Sequence, residues 1–177
     1  MTKYVALVRG VAPSIENRNN AAILRALATL DLTGLSSVLS SGNYLFDSPL
    51  RSTGKLEDLI SKTFNKELGV ELLTIVRSQQ QIQALVDNNL LAGLVHGAGS
   101  YQLVTFFKRP IDFDVELPYR PEGKFFELVG DVDGALFTVT DNTSSQTVDT
   151  MAWLERRYTR DLTSRTPLTL QKILKKM

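Results

Sequence analysis

The chain predicts an α+β fold of duplicated ferredoxin-like plaits: a β-α-β-β-α-β unit, a degenerate second copy, and a C-terminal helix. Three observations lead there. Through residue 77, apolar β-branched runs and stretches of helical period follow in the order strand, helix, strand, strand, helix, strand. A connecting helix and a Gly-rich linker over 78–100 then separate two halves. Beyond them strand, hairpin, helix and strand recur before a final amphipathic stretch. The expected organisation is a first unit over 1–77, a connection over 78–100, and a second, degenerate unit with its C-terminal helix over 101–177.

Tyr4-Val5-Ala6-Leu7-Val8 is a continuous apolar run, the pattern of a strand buried on both faces, and Gly10 and Pro13 end it. Asn19 and Asn20 offer caps to a helix whose Ile23, Leu24, Leu27 and Leu30 share one face, with Gly34 as its stop. Residues 35–39 and 44–46 read as a hairpin around Ser41-Gly42-Asn43, since Gly and Asn best tolerate positive φ. A helix over about 56–68 carries Leu56, Leu59, Ile60 and Phe64 inward and stops at Gly69. Residues 71–77 make the fourth strand. In such a plait the first and third strands are central, antiparallel neighbours. Arg9-Gly10 is therefore expected beside Gly42-Asn43.

Ser78 and Gln81 have the spacing of a capping box and open a helix with Ile82, Leu85 and Val86. Residues 101–107 are strand-like. Pro110, Pro118 and Pro121 make 110–123 irregular where the copy should carry its first helix. Residues 124–129 and 135–140 flank Gly130-Asp131-Val132-Asp133-Gly134 as a second hairpin. Ser144 or Ser145 is the expected cap of a helix through about Tyr158, with Val148, Met151, Ala152 and Leu154 inward. An extended piece over 162–165 follows. Thr166-Pro167 gives the last helix its cap and first-turn proline, and Lys172, Lys175 and Lys176 complement its C-terminal dipole.

Composition narrows the chemistry. Lys plus Arg number 20 against 19 for Asp plus Glu, so the net charge of +1 lacks the basic excess of a nucleic-acid binder. The absence of Cys excludes disulfides, thiolate metal sites and a Cys nucleophile; a single His excludes a multi-imidazole metal centre. The first apolar run is too short for a signal sequence, and no stretch approaches the ~20 apolar residues of a membrane span. A cytoplasmic protein without a cofactor or a membrane partner is expected, and monomer and homodimer are equally compatible with the sequence.

The run from Tyr4 to Val11, with Arg9-Gly10, resembles the opening of the bacterial family catalogued as domain of unknown function 1697. Ser41-Gly42-Asn43 with Leu45-Phe46 and Asp47-Ser48 is similar to that family's most recognisable motif. Leu154-Glu155-Arg156, then Arg165-Thr166 with Thr169, resemble its closing segments. The resemblance implies a duplicated ferredoxin-like fold and no established activity. This chain departs from the family pattern after the first strand, where Ala12-Pro13-Ser14-Ile15-Glu16-Asn17-Arg18 replaces an Asn-Val-Gly-Gly stretch. It departs again at Arg165-Thr166-Pro167-Leu168-Thr169, which lacks the family's Trp and Asn residues.

The candidate site follows from the expected strand pairing. Arg9, Gly10, Ser41, Gly42 and Asn43 would bring a guanidinium, a hydroxyl, an amide and glycine-turn N–H groups to one rim, a set that suits phosphate or carboxylate. Arg165 and Thr166 could extend it, because helix N-termini attract anions. The plainer readings are a structural hairpin and a capped helix start. Asp131 and Asp133 lack the ligand series of a calcium loop, and no metal is expected. His96 stands in the linker without a triad pattern, and Trp153 with Arg156 and Arg157 reads as helix surface. Three function classes remain: a small-ligand or anion-binding module, an RNA- or DNA-binding protein using Tyr101, Phe106, Phe107, Phe125 and Phe126 on an exposed sheet face, and an enzyme of unknown reaction.

Overall fold

Apolar continuity decides the centre of the first sheet. Thr2–Val8 forms β1, and Tyr4, Val5, Ala6, Leu7 and Val8 are all buried, so this part of the strand has no solvent face. The computed structural model describes residues 1–143 and 149–177. They form two compact units, Met1–Gln83 with Gln171–Met177, and Ala84–Leu170.

In the first unit β1 is followed by α1 (Asn20–Leu27), β2 (Thr33–Ser37), β3 (Asn43–Ser48), α2 (Thr53–Leu68) and β4 (Thr74–Ser78); α3 (Gln79–Asp87) begins in this unit and ends in the second. The antiparallel sheet has the order β2-β3-β1-β4. Tyr4, Ala6 and Val8 join Tyr44 and Phe46 in a core with Ile23, Leu27, Leu56, Ile60 and Phe64. On the other face Val5, Leu7, Leu45 and Ile75 are buried as well. Burial on both sides is why β1 and β3 read as runs rather than alternations.

Helix ends obey local chemistry, with two corrections. Asn19 accepts the Ala22 N–H at 2.9 Å, as an N-cap should. Gly34 does not stop this helix, which ends at Ala28 in tight turns closed by Thr29 and Leu30. It lies in β2 at φ +64, where the register with β3 slips between Thr33 and Ser36. Helix α2 starts at Thr53 behind the Ser52 cap and ends at left-handed Gly69. Leu59 turns outward, and Glu57 takes the inner position instead. The Ser78–Gln81 capping box forms reciprocally, at 2.9 and 3.2 Å.

The second unit contains β5 (Tyr101–Phe107), β6 (Phe126–Val132), β7 (Ala135–Thr140), α4 (Thr150–Arg157) and β8 (Leu162–Arg165); α5 (Pro167–Lys176) follows. Its antiparallel sheet, β6-β7-β5-β8, repeats the order of the first. The fold is thus the duplicated α+β plait. Where the copy lacks a helix, the proline-rich segment crosses as an extended strap. Ile111, Phe113, Val115, Leu117 and Tyr119 pack on a core of Phe107, Phe126, Leu128, Leu136, Leu154 and Leu162. Tyr119 and Leu128 then exchange both main-chain hydrogen bonds at 2.8 Å. The second hairpin turns on two residues, Asp133 (φ 49) and Gly134 (φ 73), while Gly130 sits at a bulge inside β6. Helix α4 starts later than expected, capped by Asp149, which accepts the Ala152 N–H at 2.8 Å. Ser144, Ser145 and Val148, the expected cap and inner residue, lie outside the described residues.

Candidate functional site

The rim of the first unit is built by strand pairing. Register partners Leu7 and Asn43 continue into a hydrogen bond from the Val8 N–H to the Gly42 carbonyl at 2.8 Å. Arg9 and Gly10 therefore follow β1 directly beside Gly42 and Asn43. The Arg9 N–H binds the Leu73 carbonyl at 2.9 Å on the other side, and its side chain is half-buried. Gly10 is exposed at φ +91.

The loop between β2 and β3 is wider than a two-residue hairpin. Val38 and Asn43 close it through a main-chain hydrogen bond of 2.9 Å, leaving Leu39, Ser40 and Ser41 at the surface. Positive φ falls on Leu39 (58°) and Gly42 (83°), not on Asn43. Asn43 is instead a fully buried strand residue, and its amide donates to the Val38 carbonyl at 2.9 Å and the Ser41 hydroxyl at 3.2 Å. Only Gly fits at 42, because a Cβ there would stand 2.2 Å from the Val8 carbonyl oxygen.

Chemically this rim offers a guanidinium-bearing strand end, two exposed serines and main-chain N–H groups. It offers no nucleophile with a base: the partner of the Ser41 hydroxyl is an amide donor, which cannot accept its proton. Beside the rim, Asn20 donates to the Ser37 hydroxyl at 3.2 Å, while its own carbonyl oxygen is buried without a hydrogen-bond partner. Sequence reasoning treated Asn20 only as a spare cap; the second Asn after a sufficient one was the available signal. Leu39, an apolar residue between Val38 and a serine pair, was missed for want of any left-handed propensity.

Arg165 and Thr166 belong to the second unit. Arg165 is the last residue of β8, 9% exposed, and its guanidinium donates to Thr163 at 2.9 Å and to the Ser164 carbonyl at 2.8 Å. Thr166 caps α5, accepting the Thr169 N–H at 3.2 Å. Asp131 lies in β6 and Asp133 in the turn. Desolvation pushes the Asp131 carboxyl up, the Gly134 N–H pulls it back, and Asp133 adds repulsion. Among the described residues no cluster of three or more His, Asp or Glu side chains could hold a metal ion. His96 accepts the Gln102 N–H at 3.2 Å and lies against Tyr101, ring to ring at 4.8 Å.

The aromatic residues considered for nucleic acid are mostly inside: Phe106, Phe107 and Phe126 are buried, whereas Tyr101 and Phe125 are 36% and 39% exposed. Of the five, only Tyr101 and Phe125 are thus available to the alternative reading of an aromatic platform on a sheet face. Trp153 meets Phe126 at 5.5 Å and carries Arg157 over its ring at 5.2 Å, so it is packed and not a stacking surface. No helix among the described residues is long and apolar enough to cross a membrane.

Comparison with known proteins bears on the fold and the family. The family model described as Protein of unknown function (DUF1697) matches residues 1–120. The likeness through Leu154-Glu155-Arg156 and Arg165-Thr166 lies beyond that match. Among solved structures, the chain is similar to the conserved bacterial protein SP0830 from Streptococcus pneumoniae, with a TM-score of 0.65 and 18% identity. That alignment covers 99% of this chain and 98% of the other. At that identity the likeness concerns the fold. No curated protein sequence matches the chain.

Proposed function

We propose that this chain, which belongs to the DUF1697 family of proteins of unknown function, is a cytoplasmic, non-catalytic module that binds a small anionic ligand at the Arg9, Gly10, Ser41, Gly42 and Asn43 rim. One observation carries the reading. Gly10, Leu39 and Gly42 all adopt left-handed backbone around one exposed serine loop and the strand end bearing Arg9. A left-handed non-glycine residue costs about 1–3 kcal/mol, and such strain gathers at ligand clamps. Leu39 is 47% exposed, so burial does little to offset that cost. Turned-out main-chain N–H groups beside a guanidinium suit phosphate or carboxylate oxygens.

Titration of the isotope-labelled full chain with inorganic phosphate tests the reading. Saturable shifts at the amides of Arg9, Gly10 and Ser41 are expected, and Arg9→Ala should remove them while leaving the fold intact. Rim amides that stay still at saturating phosphate refute it. The same titration assigns Arg165 and Thr166: movement adds them to the site, and stillness leaves them as strand and cap.

A further inference from the structure

We infer that the second unit holds a binding site, separate from the rim, for an uncharged molecule of about one ring's size bearing a single hydroxyl or carbonyl group. The two sheets match residue by residue. β1 and β5 each span seven residues. The main-chain bond just beyond β1, from the Arg9 N–H to the Leu73 carbonyl, recurs after β5 from the Lys108 N–H to the Asp161 carbonyl, both at 2.9 Å. Tyr4 thereby corresponds to Leu103, and Phe46, the register partner of Tyr4, corresponds to Thr138, the register partner of Leu103. In the first unit these two positions carry stacked rings 5.7 Å apart, both buried in the core. The second unit has a half-buried leucine and a threonine in their place.

Thr138 has no solvent exposure, and by strand alternation it shares its face with the core residue Leu136 and with Thr140. The other hydroxyls of this face are paired: Thr140 with Thr150 of α4 at 2.9 Å, and Thr105 with Ser164 at 2.8 Å. The Thr138 hydroxyl is buried without a hydrogen-bond partner among the described residues. Buried hydroxyls are ordinarily paired, and this one can donate to a carbonyl or exchange a bond with a hydroxyl. Leu103, Thr105, Leu136, Thr138, Thr140 and Ser164 are all uncharged, so an ion here would lose its water without gaining a counter-charge. A neutral ring takes the room that the first unit fills with its own rings, and its one polar group meets the one unpaired hydroxyl.

The test is amide-shift titration of the full chain with phenol, against benzene, which lacks the hydroxyl, and benzoate, which carries a charge. Phenol should shift the amides of Leu103, Leu128 and Thr138 saturably and leave Arg9 and Ser41 unmoved, and benzoate should not shift the first three. Thr138→Val keeps the shape and removes the hydroxyl, so it should weaken phenol about fivefold, the worth of one neutral hydrogen bond, and leave benzene unchanged. Thr138→Phe restores the residue of the first unit; it should fill the space, abolish phenol binding and keep the urea midpoint of wild type or better. The proposal is overturned if phenol gives no saturable shifts at those amides, if benzoate binds there as tightly, or if Thr138→Val binds phenol like wild type. It is equally overturned if Thr138→Phe unfolds the protein, because the space is then already full.

Discussion

The Glu57 carboxylate accepts the main-chain N–H of Val76 at 2.9 Å, joining the inner face of α2 to the outermost strand of the sheet. Arg77 Nη1 lies 3.6 Å from the same oxygen, with its side chain 15% exposed and that of Glu57 2%. Burial pushes the Arg77 guanidinium down from its ordinary value, and the Glu57 charge pushes it back. An edge strand with open N–H groups is a template for another chain, and a buried carboxylate closes this one.

Glu57→Ala should therefore do two things. It removes the counter-charge facing the largely buried Arg77 guanidinium and the acceptor of the Val76 N–H, a loss of about 3–5 kcal/mol. It also opens the β4 edge, so self-association should appear by size-exclusion chromatography. Glu57→Gln keeps an acceptor for Val76 and should lose less stability without associating. Equal urea midpoints for wild type and the Ala variant would remove the edge argument.

Two glycines separate strain from clash. Gly42→Ala combines left-handed backbone with a methyl group 2.2 Å from the Val8 oxygen, and should cost about 3 kcal/mol or more. Gly69→Ala has a similar φ but nothing within 4 Å, and should cost only about 1 kcal/mol. Denaturant unfolding of both variants measures the difference.

The strap of the second unit is latched at one exposed carboxylate. Asp114 accepts from Arg157 Nε at 2.9 Å and Nη2 at 2.8 Å, and from the Tyr158 hydroxyl at 2.8 Å. These bonds, the Arg157 one foremost, hold its carboxyl below the ordinary value of 3.8. A depressed carboxyl contributes stability above its unfolded-state pKa and loses it as pH falls through the lower folded value. Asp114→Asn should accordingly unfold slightly earlier than wild type at pH 7. The gap should shrink as pH falls below about 4 and vanish once the wild-type carboxyl is protonated. A gap that persists unchanged in acid means that the latch acts through shape alone.

The legible parts of this fold were those written in a local period or a short-range cap. The unbroken run from Tyr4 to Val8 marks a central strand, and from it the neighbours of Arg9 follow by topology alone. Ser78 and Gln81 declare their box, and the helix stop at Gly69 is equally local. Gly34 misled because a glycine after an amphipathic stretch has the same signature whether it ends a helix or relieves a bulge. The strap reads as irregular from its prolines, yet Ile111, Phe113, Val115, Leu117 and Tyr119 alternate at period two; the prolines mask an extended pattern by excluding a helix. Pairings such as Glu57 with Val76 depend on how a helix face meets a strand edge, which no window of sequence contains.

Asn43 decides whether the rim is held by its side chains or only decorated by them. Its amide donates to the Val38 carbonyl from a position with no solvent exposure, so Asn43→Ala leaves an acceptor buried inside the loop closure. The expected loss is about 1–3 kcal/mol. Asn43→Asp is the sharper probe, because it keeps the shape and turns a donor into an acceptor facing another acceptor. It should destabilise more than Ala at pH 7 and recover part of the loss in acid, where a protonated carboxyl can donate again. Arg9→Ala, by contrast, should leave the urea midpoint close to that of wild type while abolishing any phosphate shift. If Arg9→Ala unfolds the protein as readily as Asn43→Ala, the guanidinium is part of the frame, and the ligand must be sought elsewhere.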